Sequence, residues 1–182
     1  MKAKFRYADP GSFGLITNSP KRRGRRLPKT AGFAQVRKTY WAGLTRIVST
    51  KLWRRICARL VRVILVEPER PASSLAAATA VLQSRGSLIW FPEGKVSPTG
   101  ELQAFKPGIG LLLEHIDVPV VPVYIEGANR ALPLGEWRIH LHPIQIRIGK
   151  PLSRDSLIRL GEGVRTRDRI ANAVHDEVKK LE

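Results

Sequence analysis

One short segment of the sequence carries an acid, a hydroxyl and two ammonium groups close together: Glu93, Ser97, Lys95 and Lys106. Cationic and hydroxyl side chains bind phosphate through charge-assisted hydrogen bonds. Pro107 and Gly108 predict the start of a helix directly afterwards, where free backbone N–H groups also favour an anion. The segment therefore predicts a site for a phosphate-bearing ligand, which Arg70 would join from the preceding strand. The alternative is an ordinary turn, because Pro and Gly end strands in proteins of every kind.

Two predicted strands position these residues. Residues 87–91 are an apolar run that ends in the turn 92–94, and residues 64–66 are a second apolar run that ends in the polar segment 67–71. Open α/β sheets bind their ligands beyond the carboxyl ends of their strands. If the two strands are parallel neighbours, both of the following loops lie at that edge of the sheet.

Strands and helices are predicted to alternate from residue 64 to residue 182, which indicates an α/β layered fold. Helices are predicted over residues 75–82, with Ser73 or Ser74 as the cap, over residues 108–115, and along the C-terminal stripe of Ile170, Val174, Val178 and Leu181. Further strands are predicted over residues 118–125 and 139–148. Pro119 and Pro122 cannot donate to a ladder, so the first of these strands is predicted to be an edge strand or to carry bulges.

The start of the chain differs in composition from the rest. Residues 1–35 are predicted to be an irregular or disordered basic lead-in, and residues 36–182 to form the α/β domain. The run Lys21-Arg22-Arg23-Gly24-Arg25-Arg26 is either a patch that binds nucleic acid or lipid headgroups, or a solvated tail. Apolar spacing by three and four over residues 40–63 predicts a basic amphipathic helix. That helix would lie in a membrane interface, cover the domain's own core, or do both.

Positive charge is concentrated in the same part of the chain. The formal net charge is +17, and residues 1–70 hold 18 Lys and Arg against 3 acids, whereas residues 71–182 hold 14 against 12. This asymmetry predicts an anionic partner, either a phospholipid surface or nucleic acid. Cys57 is the only cysteine, which excludes an internal disulfide and favours a reducing compartment. Without a long apolar run or a secretory signal pattern, a soluble or membrane-surface protein is expected.

Three motifs follow one another along the chain: Phe91-Pro92-Glu93-Gly94-x-x-Ser97, Phe105-Lys106-Pro107-Gly108 and Val118-Pro119-Val120-Val121-Pro122-Val123. In this order and spacing they resemble the glycerolipid acyltransferases of the lysophosphatidic acid acyltransferase (1-acylglycerol-3-phosphate acyltransferase) type. The resemblance covers residues 37–150, in which Val66-Glu67-Pro68-Glu69-Arg70 is similar to a weaker block of that family. It implies an acyltransferase-like layered sheet flanked by helices, incomplete at its N-terminus.

The resemblance also implies an activity and a set of site residues. The activity is transfer of a fatty acyl group from acyl-CoA or acyl-ACP, a co-substrate rather than a cofactor, to a hydroxyl of a lysophospholipid or glycerophosphate. The implied location is cytoplasmic, peripheral to the inner face of an anionic membrane. The implied substrate-binding residues are the loop Phe91, Pro92, Glu93, Gly94 and Ser97, the phosphate contacts Arg70 and Lys106, and the acyl-side strand residues Pro119 and Pro122.

The family's catalytic block, an Asn-His pair whose His is followed five positions later by Asp, is absent from these 182 residues. In the family, this His takes the proton from the acceptor hydroxyl and the Asp orients the imidazole. The four histidines, His115, His140, His142 and His175, lie downstream of Arg70 and are followed five positions later by Val120, Gln145, Arg147 and Lys180. No catalytic residue is therefore identified. Because losing a base costs a factor of about 100 to 10,000 in rate, we expect little acyl transfer, and a truncated or rearranged copy is one explanation.

Two further departures bear on function. Val96 stands where the family has Arg, and Lys95 replaces it only in part because Lys lacks the planar guanidinium fork. His140 and His142 share a strand face, but the absence of another nearby His or Cys favours a structural role over a metal site. The alternative function is a noncatalytic membrane-surface or acyl-lipid binding module. Nucleic-acid binding is the least favoured, because no base-reading module is recognisable.

Overall fold

Six strands form one mixed sheet in the computed structural model, which describes residues 12–17, 38–44, 62–66, 71–95, 97, 99–133 and 138–182. The strands are β1 (Ser12–Thr17), β2 (Thr39–Leu44), β3 (Val63–Val66), β4 (Ser87–Trp90), β5 (Val120–Glu126) and β6 (Gln145–Ile148). The helices are α1 (Pro71–Gln83), α2 (Gly108–His115), α3 (Ala128–Ala131), α4 (Arg154–Leu160) and α5 (Thr166–Lys179). The α/β fold predicted from the sequence is confirmed.

The strand order is β3-β2-β4-β1-β5-β6. β2 pairs in parallel with both β3 and β4, whereas β1 is antiparallel to both β4 and β5, and β6 is antiparallel to β5. β4 and β5 therefore run in the same direction, because each is opposed to β1. As a result β2, β3, β4 and β5 all have their carboxyl ends at one edge of the sheet.

β1 lies inside the sheet, although its residues belong to the segment predicted to be irregular. Gly14 faces Trp90 of β4 on one side and Pro122 of β5 on the other. The prediction of an irregular lead-in was therefore wrong for Ser12–Thr17. The rest of residues 1–35, including the basic run 21–26, lies outside the described residues.

β2 corrects a second prediction, the amphipathic helix over residues 40–63. Thr39–Leu44 is a strand with a parallel partner on each side, and Trp41 faces Val63 of β3 and Ile89 of β4. Apolar spacing over a few residues does not distinguish a helix from a strand, and here strand pairing decides between them. Residues 45–61 lie outside the described residues.

β5 is an inner strand, yet pairing changes register around its central proline. Val123 faces Ile148, whereas Val120 is bridged to Leu152, so three steps along β5 are matched by four steps on the opposing chain. The carbonyl of Pro122 still accepts a hydrogen bond from the N–H of Gly149 at 2.8 Å. The expected irregularity is therefore present, although the strand is not at an edge, because the extra residue accommodates the missing donor.

Four helices, α1, α2, α4 and α5, share one apolar core with strands β2, β4 and β5. Its members on the strands and helices are Ala42, Leu88, Trp90, Val120, Ala78, Leu82, Ile109, Leu112, Leu113, Leu157, Ile170, Ala171, Ala173 and Val174. Complete burial of a Leu or Ile side chain contributes about 1.5–3 kcal/mol. α1 begins at Pro71 rather than at Ser73 or Ser74, since proline is well suited to the first helical position. Within the described part of the chain, no helix is long and apolar enough to cross a membrane.

α2 and α5 approach each other closely at Gly110. A Cβ built on Gly110 would stand 1.9 Å from the carbonyl oxygen of Arg167 in α5. Only glycine fits at this crossing, because any side chain would force two backbones apart. This contact fixes α2, and with it the loop that leads into its first residue.

Candidate functional site

A loop between β4 and α2 brings together most of the predicted site residues. The N–H of Lys106 donates to the carbonyl of Pro92 at 2.8 Å, and the N–H of Gln103 donates to Glu93 Oε2 at 3.3 Å. At the start of the loop, the N–H of Gly94 donates to the carbonyl of Phe91 at 3.2 Å and closes a tight turn. The described residues of 91–106, here called the site loop, therefore have ends that meet at the carboxyl edge of β4.

The two polar side chains at the centre of the site loop are buried. Glu93 is 3% exposed and Ser97 is 2% exposed. Ser97 Oγ accepts the N–H of Gly100 at 3.1 Å and lies 3.5 Å from the side-chain nitrogen of Gln103. Burial of polar groups is stable only when they are hydrogen-bonded, so these contacts hold the backbone of the loop in place.

Lys106 lies over Gly94. A Cβ built on Gly94 would stand 2.9 Å from Lys106 Cδ, 3.0 Å from Cε and 3.1 Å from Nζ. Gly94 also has a φ of 65°, in the left-handed region that favours glycine. The exposed ammonium of Lys106 is therefore held next to the turn that contains Glu93, and the exposed side chain of Lys95 follows that turn directly.

A contact from α3 supports the far side of the site loop. Asn129 Nδ2 donates to the carbonyl of Thr99 at 3.3 Å. Gly100, with a φ of 81°, leaves the space that the Asn129 amide fills, because a Cβ there would stand 2.0 Å from Nδ2. Sequence reasoning missed Asn129, and no local pattern could have found it since it is 30 residues from its partner.

Aromatic contacts fix both ends of the site loop. The rings of Phe91 and Trp41 are stacked, with centroids 6.5 Å apart and an interplanar angle of 23°. At the other end, Phe105 meets His175 of α5 edge to face at 5.0 Å. Such aromatic pairs contribute about 0.5–1.5 kcal/mol beyond burial of their area. The loop is thus held between β2 and α5.

Pro122, a predicted substrate-binding residue, is not brought to this loop. Pro122 lies in the middle of β5, separated from β4 by β1, and its close neighbour is Gly149. Arg70, the predicted phosphate contact, lies outside the described residues, as does Val96. The cationic side chains of the described site loop are Lys95 and Lys106, and both are exposed.

The four histidines are dispersed over the described residues. His115 Nδ1 contacts the carbonyl of Leu111 at 3.0 Å, and His142 Nδ1 contacts that of Pro143 at 2.8 Å. His175 Nδ1 lies 3.2 Å from Asp176 Oδ1, and the backbone N–H of His140 donates to Ala131 at 2.8 Å. In the part of the chain that the structure describes, no three His, Cys, Asp or Glu side chains are grouped as metal ligands.

Comparison with known proteins identifies the family. The Acyltransferase family model matches residues 28–126, which is more than half of the 182-residue chain. The chain belongs to this acyltransferase family. The matched region contains the whole site loop and ends at the last residue of β5.

Several plant relatives of this acyltransferase chain share its central region. The 1-acyl-sn-glycerol-3-phosphate acyltransferase of Limnanthes alba is 31% identical over 99 residues, which are 54% of this chain and 35% of the relative. The chloroplastic 1-acyl-sn-glycerol-3-phosphate acyltransferase BAT2 of Brassica napus is 28% identical over 101 residues, 55% of this chain and 29% of the relative. The chain thus matches about a third of the length of these relatives.

A solved structure supports the acyltransferase fold. The crystal structure of the 1-acyl-sn-glycerophosphate (LPA) acyltransferase PlsC from Thermotoga maritima superposes with a TM-score of 0.60. The superposition covers 79% of this chain and 57% of PlsC, at 22% sequence identity. The two chains therefore have the same fold.

Proposed function

We propose that this chain provides the acceptor-binding part of a glycerolipid acyltransferase site. The reaction moves a fatty acyl group from acyl-CoA or acyl-ACP to a hydroxyl of a lysophospholipid or glycerophosphate. The hydroxyl oxygen forms an ester bond with the acyl carbon, the C–S bond of the thioester breaks, and the hydroxyl proton ends on the released thiol or in solvent. Support for this substrate class comes from the family and from the named activity of its plant relatives.

The observation that carries the proposal is the division of the site loop into a buried and an exposed part. Glu93 and Ser97 are buried and hydrogen-bonded inside the loop, whereas Lys95 and Lys106 are exposed. We therefore assign Glu93 and Ser97 to holding the loop, and the two ammonium groups to the acceptor's phosphate. Arg70 is assigned to the same phosphate by resemblance alone.

The reaction also requires a base, and we propose that acyl transfer by this chain alone is slow. None of the four histidines is followed five positions later by Asp. The His175–Asp176 pair is formed by neighbours on one helix, and its imidazole is packed against Phe105. A missing base lowers the rate by a factor of about 100 to 10,000, which leaves binding intact.

Acceptor binding is tested by calorimetric titration of the full chain with glycerol 3-phosphate at low salt. Replacing Lys106 by Ala is expected to weaken binding by about tenfold or more, since a hydrogen bond to a charged group is lost. Lys179→Ala is the matched control, because Lys179 is an exposed lysine on α5 outside the site loop. Equal affinities of the two variants would show that binding reflects only the net positive charge.

The rate of acyl transfer is tested separately by thiol release from acyl-CoA with lysophosphatidic acid as acceptor. We expect slow release by the full chain. Robust turnover that survives replacement of all four histidines by Ala would contradict this expectation. Turnover that is present and is lost in both Glu93→Ala and Glu93→Gln would locate the reaction at the site loop.

A noncatalytic membrane-surface or acyl-lipid binding module is the second candidate. It is favoured by exposed aliphatic side chains before and within β6, among them Ile139 and Leu141. This alternative predicts binding to lipid vesicles with no thiol release under any condition, including at high concentrations of donor and acceptor.

A further inference from the structure

Five large aliphatic side chains are exposed in and just before β6. They are 52% to 104% exposed, and we call them the β6 rim: Ile139, Leu141, Ile144, Ile146 and Ile148. Single exposed aliphatic residues are ordinary, but a contiguous group of this size marks an interaction surface. None of the contacts that hold the site loop uses these side chains.

Two members of the β6 rim, Ile146 and Ile148, lie on the face of the sheet opposite α5. Ile146 and Ile148 alternate with Arg147, whose guanidinium donates to the carbonyl of Leu181 at 2.8 Å, beyond the end of α5. Successive side chains of a strand point to opposite faces, so the two isoleucines lie on the other face of the sheet. There they extend an apolar surface along the last strand of the sheet order.

The rim begins at the same edge of the sheet as the site loop. Gln145, the first residue of β6, faces Glu126, the last residue of β5, and β5 runs in the same direction as β4. The segment before β6 is tied to α3, since the N–H of His140 donates to the carbonyl of Ala131 at 2.8 Å. α3 in turn contacts the site loop through Asn129.

Exposed cations flank the rim along the chain. Residues 127–153 contain four cations, Arg130, Arg138, Arg147 and Lys150, and a single acid, Glu136. Arg147 is paired with Glu126 at 2.6 Å. The side chains of Arg130, Arg138 and Lys150 are exposed to solvent. Apolar side chains flanked by Lys and Arg are the composition of surfaces that enter the headgroup region of anionic bilayers. Two copies of one positively charged surface would repel each other, which disfavours self-association here.

We propose that the β6 rim docks on an anionic phospholipid bilayer. Ile139 and Leu141, the most exposed members, enter the headgroup region, and the flanking cations lie at the level of the lipid phosphates. Docking in this orientation brings the adjoining edge of the sheet, and the site loop with it, to the lipid surface. That this orientation brings a lipid acceptor to the site loop rests on the proposed function, whereas the docking itself does not.

Labelled single cysteines test which part of the chain enters the lipid. In a Cys57→Ser background, Leu141→Cys and Val164→Cys each carry one environment-sensitive fluorophore. Val164 is a matched control, because it is 100% exposed but lies between α4 and α5, outside the rim. Vesicles of phosphatidylcholine with phosphatidylglycerol are expected to shift the label at position 141 to the blue and expose it to quenching by brominated lipid. No shift at position 141, or equal shifts at both positions, overturns the proposal.

Substitution of the rim gives an independent measurement. Ile139→Ser with Leu141→Ser is expected to weaken partitioning onto the same vesicles by about tenfold or more, because apolar area is lost from the bilayer contact. Val164→Ser is expected to stay within about twofold of the wild type, as surface substitutions usually do. Unchanged partitioning of the double variant overturns the proposal, as does a wild-type dimer in solution that the double variant dissociates.

Binding of glycerol 3-phosphate without vesicles separates this proposal from the proposed function. The rim variant is expected to bind glycerol 3-phosphate like the wild type, whereas Lys106→Ala is not. Failure of the wild type to bind that ligand would count against the acceptor site and leave the vesicle result standing.

Discussion

Lys106 and Gly94 form one unit of the site loop, in which the stem of the lysine occupies the space that a side chain on the glycine would need. The nearest approach would be 2.9 Å, between the added Cβ and Lys106 Cδ. The absence of a side chain on Gly94 leaves room for the stem of Lys106. The hydrogen bond from the Lys106 N–H to the Pro92 carbonyl fixes the backbone from which that stem extends. This arrangement holds a positive charge next to the turn that contains Glu93.

Replacing Gly94 by Ala is expected to strain the turn and displace Lys106. A non-glycine residue in the left-handed region costs about 1–2 kcal/mol, and the clash with Lys106 adds to it. We expect a loss of about 2 kcal/mol or more in the free energy of unfolding, measured by urea denaturation, with weaker glycerol 3-phosphate binding. Gly108→Ala is the control, because its Cβ would meet only Trp90 Cζ2 at an ordinary 3.6 Å. Equal stability of the two variants would contradict the account of Gly94.

Replacing Glu93 by Ala is expected to destabilise the fold as well as the site. The buried carboxylate accepts the N–H of Gln103, and an unsatisfied buried donor costs about 1–3 kcal/mol. Glu93→Gln keeps an acceptor oxygen and should lose less. Glu101→Ala removes an exposed carboxylate that accepts the hydroxyl of Thr99 at 3.2 Å, and should change stability by no more than about 0.5 kcal/mol. Equal losses of stability in Glu101→Ala and Glu93→Ala would refute the role of the buried Glu93 carboxylate in holding the loop.

Replacing Gly110 by Ala tests the crossing of α2 and α5. The new Cβ would stand 1.9 Å from a backbone oxygen, which cannot rotate away as a side chain can. We expect a loss of about 3 kcal/mol or more in the free energy of unfolding, at the upper end for overpacking. Gly108→Ala serves again as the control within α2 and should be close to neutral. A stable Gly110→Ala protein would mean that the two helices can separate without loss of the fold.

Tyr124 predicts how stability changes at alkaline pH. Burial raises the pKa of Tyr124 above its usual 10.0, and the nearby carboxylates of Glu182 and Glu126 raise that pKa further. Because the folded state holds this proton more tightly, the contribution to stability is complete below pH 10.0 and is lost as pH rises through the folded pKa. Tyr124→Phe should therefore lose less stability than the wild type above pH 10.0. The difference between their tyrosinate absorbance titrations should give a midpoint above 10.0, and a lower midpoint would refute the assignment.

Local patterns were sufficient to predict several elements of the fold. β3, β4, α2 and α5 coincide closely with the predicted segments, because apolar runs, helix formers and Pro-Gly turns are encoded within a few residues. The errors fall where pairing between distant residues decides the structure. Trp41 lies on a strand because β3 and β4 lie on either side of it, and the predicted helical spacing carries no information about those neighbours.

In the candidate site, too, local features were predicted from the sequence, whereas contacts between distant residues were not. The residue types of the site loop predicted a phosphate site, and the structure places six of the proposed residues in one loop: Phe91, Pro92, Glu93, Gly94, Ser97 and Lys106. Sequence alone assigned Glu93 directly to the substrate, whereas its burial favours a role in holding the loop. The supports of the loop, Asn129 and Trp41, are distant in the chain, so they required the fold to be known.

The place of β1 in the sheet has a consequence for how the chain folds during synthesis. β1 leaves the ribosome before the other five described strands but lies between β4 and β5, and Ser12 faces Tyr124. Partners on both of its sides therefore exist only after translation has passed β5. Pairings between such distant residues slow folding. An inner strand of the sheet is thus the earliest of the described strands to be made and among the last whose pairing can be completed.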